Sequence, residues 1–223
     1  MNKDKIFKEE HNSNHETIFK GYYLNGKREG KGTEYYSNGK IKFDGEYLNG
    51  KIWNGKGYDI EGSFKYEIIE GKGKIKEFDE SGNLEFEGDY LNGERIGQGT
   101  EYSNGNIIFK GIYLNGNKWT GKIFEYNNEN RLKFEGEYSY GEKKGKGKEY
   151  YSWNGELEFE GEYLNGERNG KEYNYDGKLI FEGEYLNGER NGKGKEYDYD
   201  GKLEFEGEYL NGKRHEKRCL IFW

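Results

Sequence analysis

Residues 26–33, Gly-Lys-Arg-Glu-Gly-Lys-Gly-Thr, bring glycines and cations together as a phosphate-cradling loop does. Such a loop works by aiming successive backbone N–H groups at the anion between a buried strand and a helix N-terminus. Here the glycine spacing is not that of a Walker loop, and no apolar strand leads in and no helical pattern follows. Phosphate chemistry is not expected. His11 and His15 lie four apart, which on a helix could hold a metal, but they stand in the polar stretch Glu9–His15 and read as part of a tail. The many Glu residues could supply an acid and a base. They recur on one exposed strand face, with no apolar pocket to raise a carboxyl pKa, and so read as a solvated surface. Cys219 has no evident His or Asp partner for nucleophilic work. The chain is therefore expected to be non-enzymatic, with no metal and no cofactor.

Recognition is the chemistry that remains. Trp53 and Trp119 stand in connections where comparable segments carry polar residues, and they are the best candidates for partner contact, against the alternative that both indoles fold back over the sheet. At the C-terminus, Lys217 and Arg218 precede Cys219, and Phe222 and Trp223 end an apolar run. This tail could be a membrane foothold, with acylation at the cysteine, a self-association edge or a capping strand. The cysteine is fifth from the end, so it is not a prenylation site.

Composition limits the partners and the fold. A net charge of −7 opposes sequence-independent nucleic-acid binding, and weakens a purely electrostatic membrane reading. A single cysteine allows no intrachain disulfide, and there is no Asn-x-Ser/Thr acceptor, no signal-peptide pattern at the start and no run long and apolar enough to span a membrane. A cytoplasmic protein is expected, with membrane or cytoskeletal association left open. Ala, Val and Pro are absent while Tyr, Phe and Trp number 22, 13 and 4, and 37 glycines would each cost a helix interior about 1 kcal/mol. Strands and turns are the outcome this inventory allows.

What must position these residues is a repeat. An aromatic, a glycine two residues on and a tyrosine two residues further recur at Gly21, Gly45, Gly88, Gly111, Gly136, Gly161, Gly183 and Gly207, with Ile68 in a ninth glycine position and Glu70 in its tyrosine position. The spacing, 20 to 25 residues, is that of a stacked array. Within each unit, turn pairs such as Asn38–Gly39 and Asp200–Gly201 separate alternating runs, the signature of a β-hairpin. After the last, Leu203, Phe205, Gly207 and Tyr209 face one way and Glu204, Glu206 and Glu208 the other. A two-residue turn would set Lys195 against Glu206 and Lys193 against Glu208, whereas a three-residue loop with a bulge would set Tyr197 beside Leu203. Cross-strand charge favours the first and aromatic clustering the second. Turn lengths vary, so both are expected along the chain.

The run Phe-x-Gly-x-Tyr-Leu-Asn-Gly-x-x-x-Gly-x-Gly, at 19–32 and again at 181–194, resembles the MORN repeat. The resemblance implies a single-layer curved sheet of antiparallel hairpins and scaffolding, self-association, binding of partner helices and, in some members, attachment to membranes or phosphoinositides. It implies no catalysis. Some members continue into a lipid-kinase domain, for which this chain has no room. Ile68 and Glu70 depart from the pattern, and that unit is expected to bend or narrow the sheet; around Gly170 the second glycine of the Gly-x-Gly pair is lost and Ile123 replaces it in another unit, so a uniform groove along the whole chain is not expected. The expected architecture is all-β: an elongated, single-layer, twisted ribbon of about nine tandem hairpins over 18–214, after a polar tail at 1–17 and before a basic and apolar segment at 215–223. Its aromatic-lined surface is expected to face a protein partner, such as a helix, or a second copy of the chain. The competing expectation is a peripheral membrane protein bound to anionic phospholipid through the C-terminal tail.

Overall fold

The structure, a computed structural model, describes residues 4–164 and 167–215. Among them are nineteen strands and no helix. The chain divides into two units, residues 1–119 and 120–223. In the first, β1 (Ile6–His11), β2 (Thr17–Leu24), β3 (Lys27–Tyr35), β4 (Ile41–Leu48), β5 (Lys51–Tyr58) and β6 (Phe64–Ile68) make one antiparallel sheet in chain order. β7 (Gly73–Phe78), β8 (Leu84–Leu91), β9 (Glu94–Ser103) and β10 (Asn106–Leu114) follow in a second sheet. β11 (Asn117–Tyr126) leads into the second unit. There β12 (Leu132–Ser139), β13 (Glu142–Tyr150), β14 (Leu157–Leu164), β15 (Glu167–Tyr173), β16 (Leu179–Leu186), β17 (Glu189–Tyr197), β18 (Leu203–Leu210) and β19 (Lys213–His215) each pair with their sequence neighbours.

Two kinds of turn alternate. In each Leu-Asn-Gly among the described residues the Asn and Gly both take left-handed backbone, as at Asn25 (φ 53°) and Gly26 (φ 79°), which join Leu24 to Lys27 as a two-residue hairpin. The Leu-Asn-Gly segment, which reads in the sequence as a connection between hairpins, is thus itself a hairpin turn, and the strands form a continuous meander. The other turn is a three-residue loop. Asp198 accepts from the Gly201 N–H and donates its own N–H to Lys202, both at 2.9 Å, while its carboxylate accepts from the N–H groups of Asp200 and Lys202. At Asn104–Gly105 the turn has only two residues, so both lengths occur.

The loop also resolves the register. Tyr197 pairs with Leu203, as the three-residue loop requires; a bulge then absorbs one residue, so that Lys195 meets Glu206 and Lys193 meets Glu208. Both alternatives are realised on one hairpin, because a single extra residue on β18 satisfies the aromatic pair near the turn and the charged pairs beyond it.

Phe-x-Gly-x-Tyr builds the core. Phe19, Phe86, Phe109, Phe159 and Phe181 are wholly buried, and Phe43 and Phe134 nearly so. Each ring lies over its own glycine: a Cβ on Gly207 would come within 2.6 Å of the Phe205 ring. The glycines also face each other across strands, Gly136–Gly147–Gly161–Gly170–Gly183–Gly194–Gly207 forming one row across β12 to β18. The tyrosine of each unit packs edge-on against the Phe of the unit before, Phe159 with Tyr185 at 5.8 Å and Phe181 with Tyr209 at 5.1 Å. Neighbours therefore supply the burial that a lone hairpin lacks.

Three expectations need correction. The polar stretch 1–17 is not only a tail: Ile6–His11 pairs with β2 as an added edge strand, held by backbone bonds and by Phe7 edge-on to Tyr22 at 5.5 Å. At Ile68 the sheet does more than bend. Ile68 and Ile75 fill the places of row glycines, both are buried in the same cluster, and the ladder stops at β6 and restarts at β7 with only the Ile69–Lys72 bridge between. Around Gly170 the missing glycine is a different one from the row glycine. Gly170 keeps its place in the row, whereas the left-handed bulge glycine of other units, such as Gly192 (φ 75°), is absent, so β14 and β15 pair without a register shift.

Candidate interaction surfaces

The aromatic face is closed over. Arg190 lies 4.3 Å above the Phe181 ring and bonds Glu172 at 3.0 Å and Glu196 at 3.4 Å. Tyr185 donates to Glu172 and Tyr209 to Glu196, both at 2.8 Å, and Arg214 adds a 2.8 Å bond to Glu196. Arg28, Arg95 and Arg168 lie in the same way over Phe19, Phe86 and Phe159, each paired with at least one Glu. Burial, then the hydrogen bond to Glu196, pushes the Tyr209 hydroxyl up to about 12. The expected aromatic-lined surface on this face is therefore not presented: its rings lie beneath a lattice of Arg and Glu. Sequence reasoning placed every Glu on the solvated face and missed the lattice, although Arg of Asn-Gly-Glu-Arg and Glu of Lys-Glu-Tyr recur with the period. Replacing Arg190 by Ala uncovers Phe181 and strips two carboxylates of a partner. A loss of about 2 kcal/mol is expected by urea denaturation, with Arg190→Met restoring the part due to the covering stem.

The opposite face is polar. In the second unit it forms a groove of about 1060 Å³ whose floor is the backbone of the glycine row. Along one bank, Glu135, Lys148, Glu160, Lys171, Glu182, Lys195 and Glu206 succeed one another strand by strand. Their ion pairs are long, 3.9 Å for Lys148–Glu160 and 3.7 Å for Lys195–Glu206, and such exposed pairs contribute little to stability. Glu135 and Glu160 also accept from the Tyr150 and Tyr173 hydroxyls at 2.7 Å, which holds these carboxylates in place along the bank.

Of the candidate residues named from sequence, Trp53 and Trp119 lie on different strands, β5 and β11. Trp53 is the bulged residue between Ile52 and Asn54; its indole lies over Gly71, whose N–H donates to the Trp53 carbonyl at 2.8 Å. Trp119 is in β11 and 38% exposed. Lys217, Arg218, Cys219, Phe222 and Trp223 lie outside the described residues. The 26–33 stretch is a hairpin turn running into β3, with Gly32 in the glycine row. His11 ends β1 and His15 occupies a left-handed turn position, so the two are not on one helix face. Among the described residues no group of three His, Cys, Asp or Glu is placed to hold a metal ion, and no helix is long and apolar enough to cross a membrane. Burial, then the nearby Glu149 carboxylate, raises the Glu158 carboxyl.

The family model described as MORN repeat matches residues 19–41, 86–107, 134–156, 159–171, 181–202 and 205–217. No curated protein matches the chain. Among solved structures, a chain in the crystal structure of TcdB2-TccC3-Cdc42 is similar at 12% identity and a TM-score of 0.29, over 96% of this chain and 14% of its own length. This chain thus spans about a seventh of that one. The matched repeats cover just over half of the sequence, and each falls on the Phe-x-Gly hairpins described above: the chain belongs to the MORN repeat family.

Proposed function

We propose that the chain is a non-enzymatic scaffold that docks a protein partner, a helix, in the groove of the second unit. Family membership suggests a repeat-based interaction role, and the glycine floor carries the finer statement. The row positions turn to the buried side, where their glycines admit the Phe rings, so the middle of the polar face is bare backbone that a partner can approach while Lys and Glu flank it on both sides. Like charges on a bank recur every second strand, roughly 9.6 Å apart, close to the roughly 10.5 Å between positions i and i+7 of a helix. A helix carrying alternate acids and bases in that rhythm finds opposite charge at each step, which fixes its register.

The test is proximity labelling in the native cell with wild-type chain, a Lys148→Glu/Lys171→Glu variant and a Leu186→Ser variant outside the groove. Partners recovered with wild type and Leu186→Ser but lost with the charge reversals support the groove. Recovery of the same set with all three overturns it.

A further inference from the structure

Three hairpin tips of the second unit carry rings that the repeat does not require. Trp153, Tyr175 and Tyr199 are 62%, 56% and 59% exposed. Trp153 is the second residue of a loop one residue longer than the others, while the first loop positions held by Tyr175 and Tyr199 are taken elsewhere by Ser13, Ser37, Ile60, Glu80 and Asn128, in turns that close with the same backbone bonds. The rings therefore serve no folding need, and exposed aromatics gathered at one edge mark a recognition surface.

We infer that these tips bind a proline-rich segment in the polyproline II conformation with basic residues beside it. Four observations converge on that occupant. The first is the line of rings: Tyr151 and Trp153 at the β13–β14 tip and Tyr175 at the β15–β16 tip follow one another along the sheet edge, a row that an extended segment can track. The second is the relief. Tyr151, Trp153 and Tyr175 form a contiguous patch with centroids 6.1 Å apart at each step and planes tilted by 47° and 53°. Tilted rings leave slots for pyrrolidine rings, whereas the flat faces of sugars call for coplanar ones.

The third is hydrogen bonding. A polyproline II segment has carbonyls and few donors, so its receptor must donate. The Trp153 indole N–H and the Tyr175 hydroxyl both have no partner within the described chain. The fourth is charge: Glu156, Asp176, Asp198 and Asp200 exceed Arg131, Lys178 and Lys202 around the tips by one, and Arg131 and Lys178 are tied to tip carbonyls, which leaves a basic flank to meet the acids.

The surface is also held ready. Arg131 donates to the Trp153 carbonyl at 2.8 Å, Asn154 to the Tyr175 carbonyl at 3.3 Å and Lys178 to the Tyr199 carbonyl at 2.9 Å, so each tip is tied to the one before it. The Tyr151 hydroxyl anchors the first ring of the patch on the Tyr173 carbonyl at 2.7 Å. Little ordering remains to be done on binding. This site lies at the hairpin tips rather than in the groove, and it stands whether or not the groove takes a helix.

The probe is a fluorescein-labelled peptide of ten prolines followed by three arginines, titrated with the full chain and read by fluorescence anisotropy. A Gly-Ser peptide of equal length and charge is the control. The proline peptide is expected to bind at least tenfold tighter than the control, and Trp153→Ala/Tyr175→Ala to weaken it at least tenfold while the far-UV spectrum is unchanged. Glu156→Gln/Asp200→Asn is expected to weaken the arginine-tailed peptide about threefold and leave an uncharged proline decamer unaffected. This charge variant decides the matter if the aromatic variant fails to fold. Equal affinity for the Gly-Ser control, undiminished binding by the folded aromatic variant, identical effects of the charge variant on both proline peptides, or displacement of the probe by a soluble β-glucan hexamer would each overturn the inference.

Discussion

Raising the pH from about 10 to about 12 is expected to unfold the second unit cooperatively. Tyr163, Tyr185 and Tyr209 are each less than a tenth exposed and hydrogen-bonded to Glu149, Glu172 and Glu196. Burial first, and then these carboxylates, raises all three hydroxyls above their ordinary range. The sign follows from linkage. A tyrosine raised in the folded state contributes its full stability below the unfolded pKa of about 10 and loses it as the pH climbs toward the folded value. Each such group costs about 1.4 kcal/mol per pH unit, so three together remove about 4 kcal/mol per unit, which is large against a domain's typical margin. Far-UV circular dichroism and phenolate absorbance should change together in this window, and Tyr209→Phe should move the transition to higher pH. Phenolate absorbance that rises to completion while the strand signal persists would refute it.

The second large effect concerns the glycine row. A Cβ at Gly161 would stand 2.2 Å from the Asn169 carbonyl oxygen and 2.8 Å from both the Gly170 Cα and the Phe159 ring tip. Backbone lies on one side and a buried ring on the other, so neither can yield cheaply. Gly161→Val is expected to cost about 3 kcal/mol or more by denaturant unfolding. Gly177 is the useful contrast. It takes a left-handed backbone (φ 75°) but its Cβ would meet open space, so Gly177→Ala should cost only about 1 kcal/mol, the backbone penalty alone. Equal costs at the two sites would show that the row glycines serve backbone freedom rather than close approach.

Much of this architecture is written in the sequence because it is local and repeated. The alternation Phe205, Gly207, Tyr209 gives strand and inward face directly, and Asp-Gly or Asn-Gly marks many of the turns. The two hairpin registers could not be separated from sequence, since a bulge at Glu204 lets both pairings coexist, and one extra residue leaves no compositional trace. The fate of the aromatic face was also hidden. Which ring an arginine covers depends on the neighbouring strand: Arg190 sits over Phe181 because Leu-Asn-Gly brings β17 back beside β16, and its Glu172 partner is 18 residues away. Ile68 was visible as a departure from the repeat, but not that Ile75 fills the facing position and lets the ladder end. The exposed rings at Trp153, Tyr175 and Tyr199 stand in plain sight in Tyr-Ser-Trp-Asn-Gly, Tyr-Asn-Tyr-Asp-Gly and Tyr-Asp-Tyr-Asp-Gly. They emerge only when each loop is compared with its counterparts in the other units.

The interlocking of consecutive hairpins through Phe and Tyr is the claim on which fold and surfaces both depend. A double-mutant cycle of Phe181→Leu and Tyr209→Leu, two rings 5.1 Å apart and at 87°, tests it most directly. The account predicts a coupling energy of about 1 kcal/mol for this pair and none for Phe181 with Phe134, which belongs to the same cluster without a ring contact. Additive losses for Phe181 and Tyr209, or equal coupling for both pairs, would contradict it.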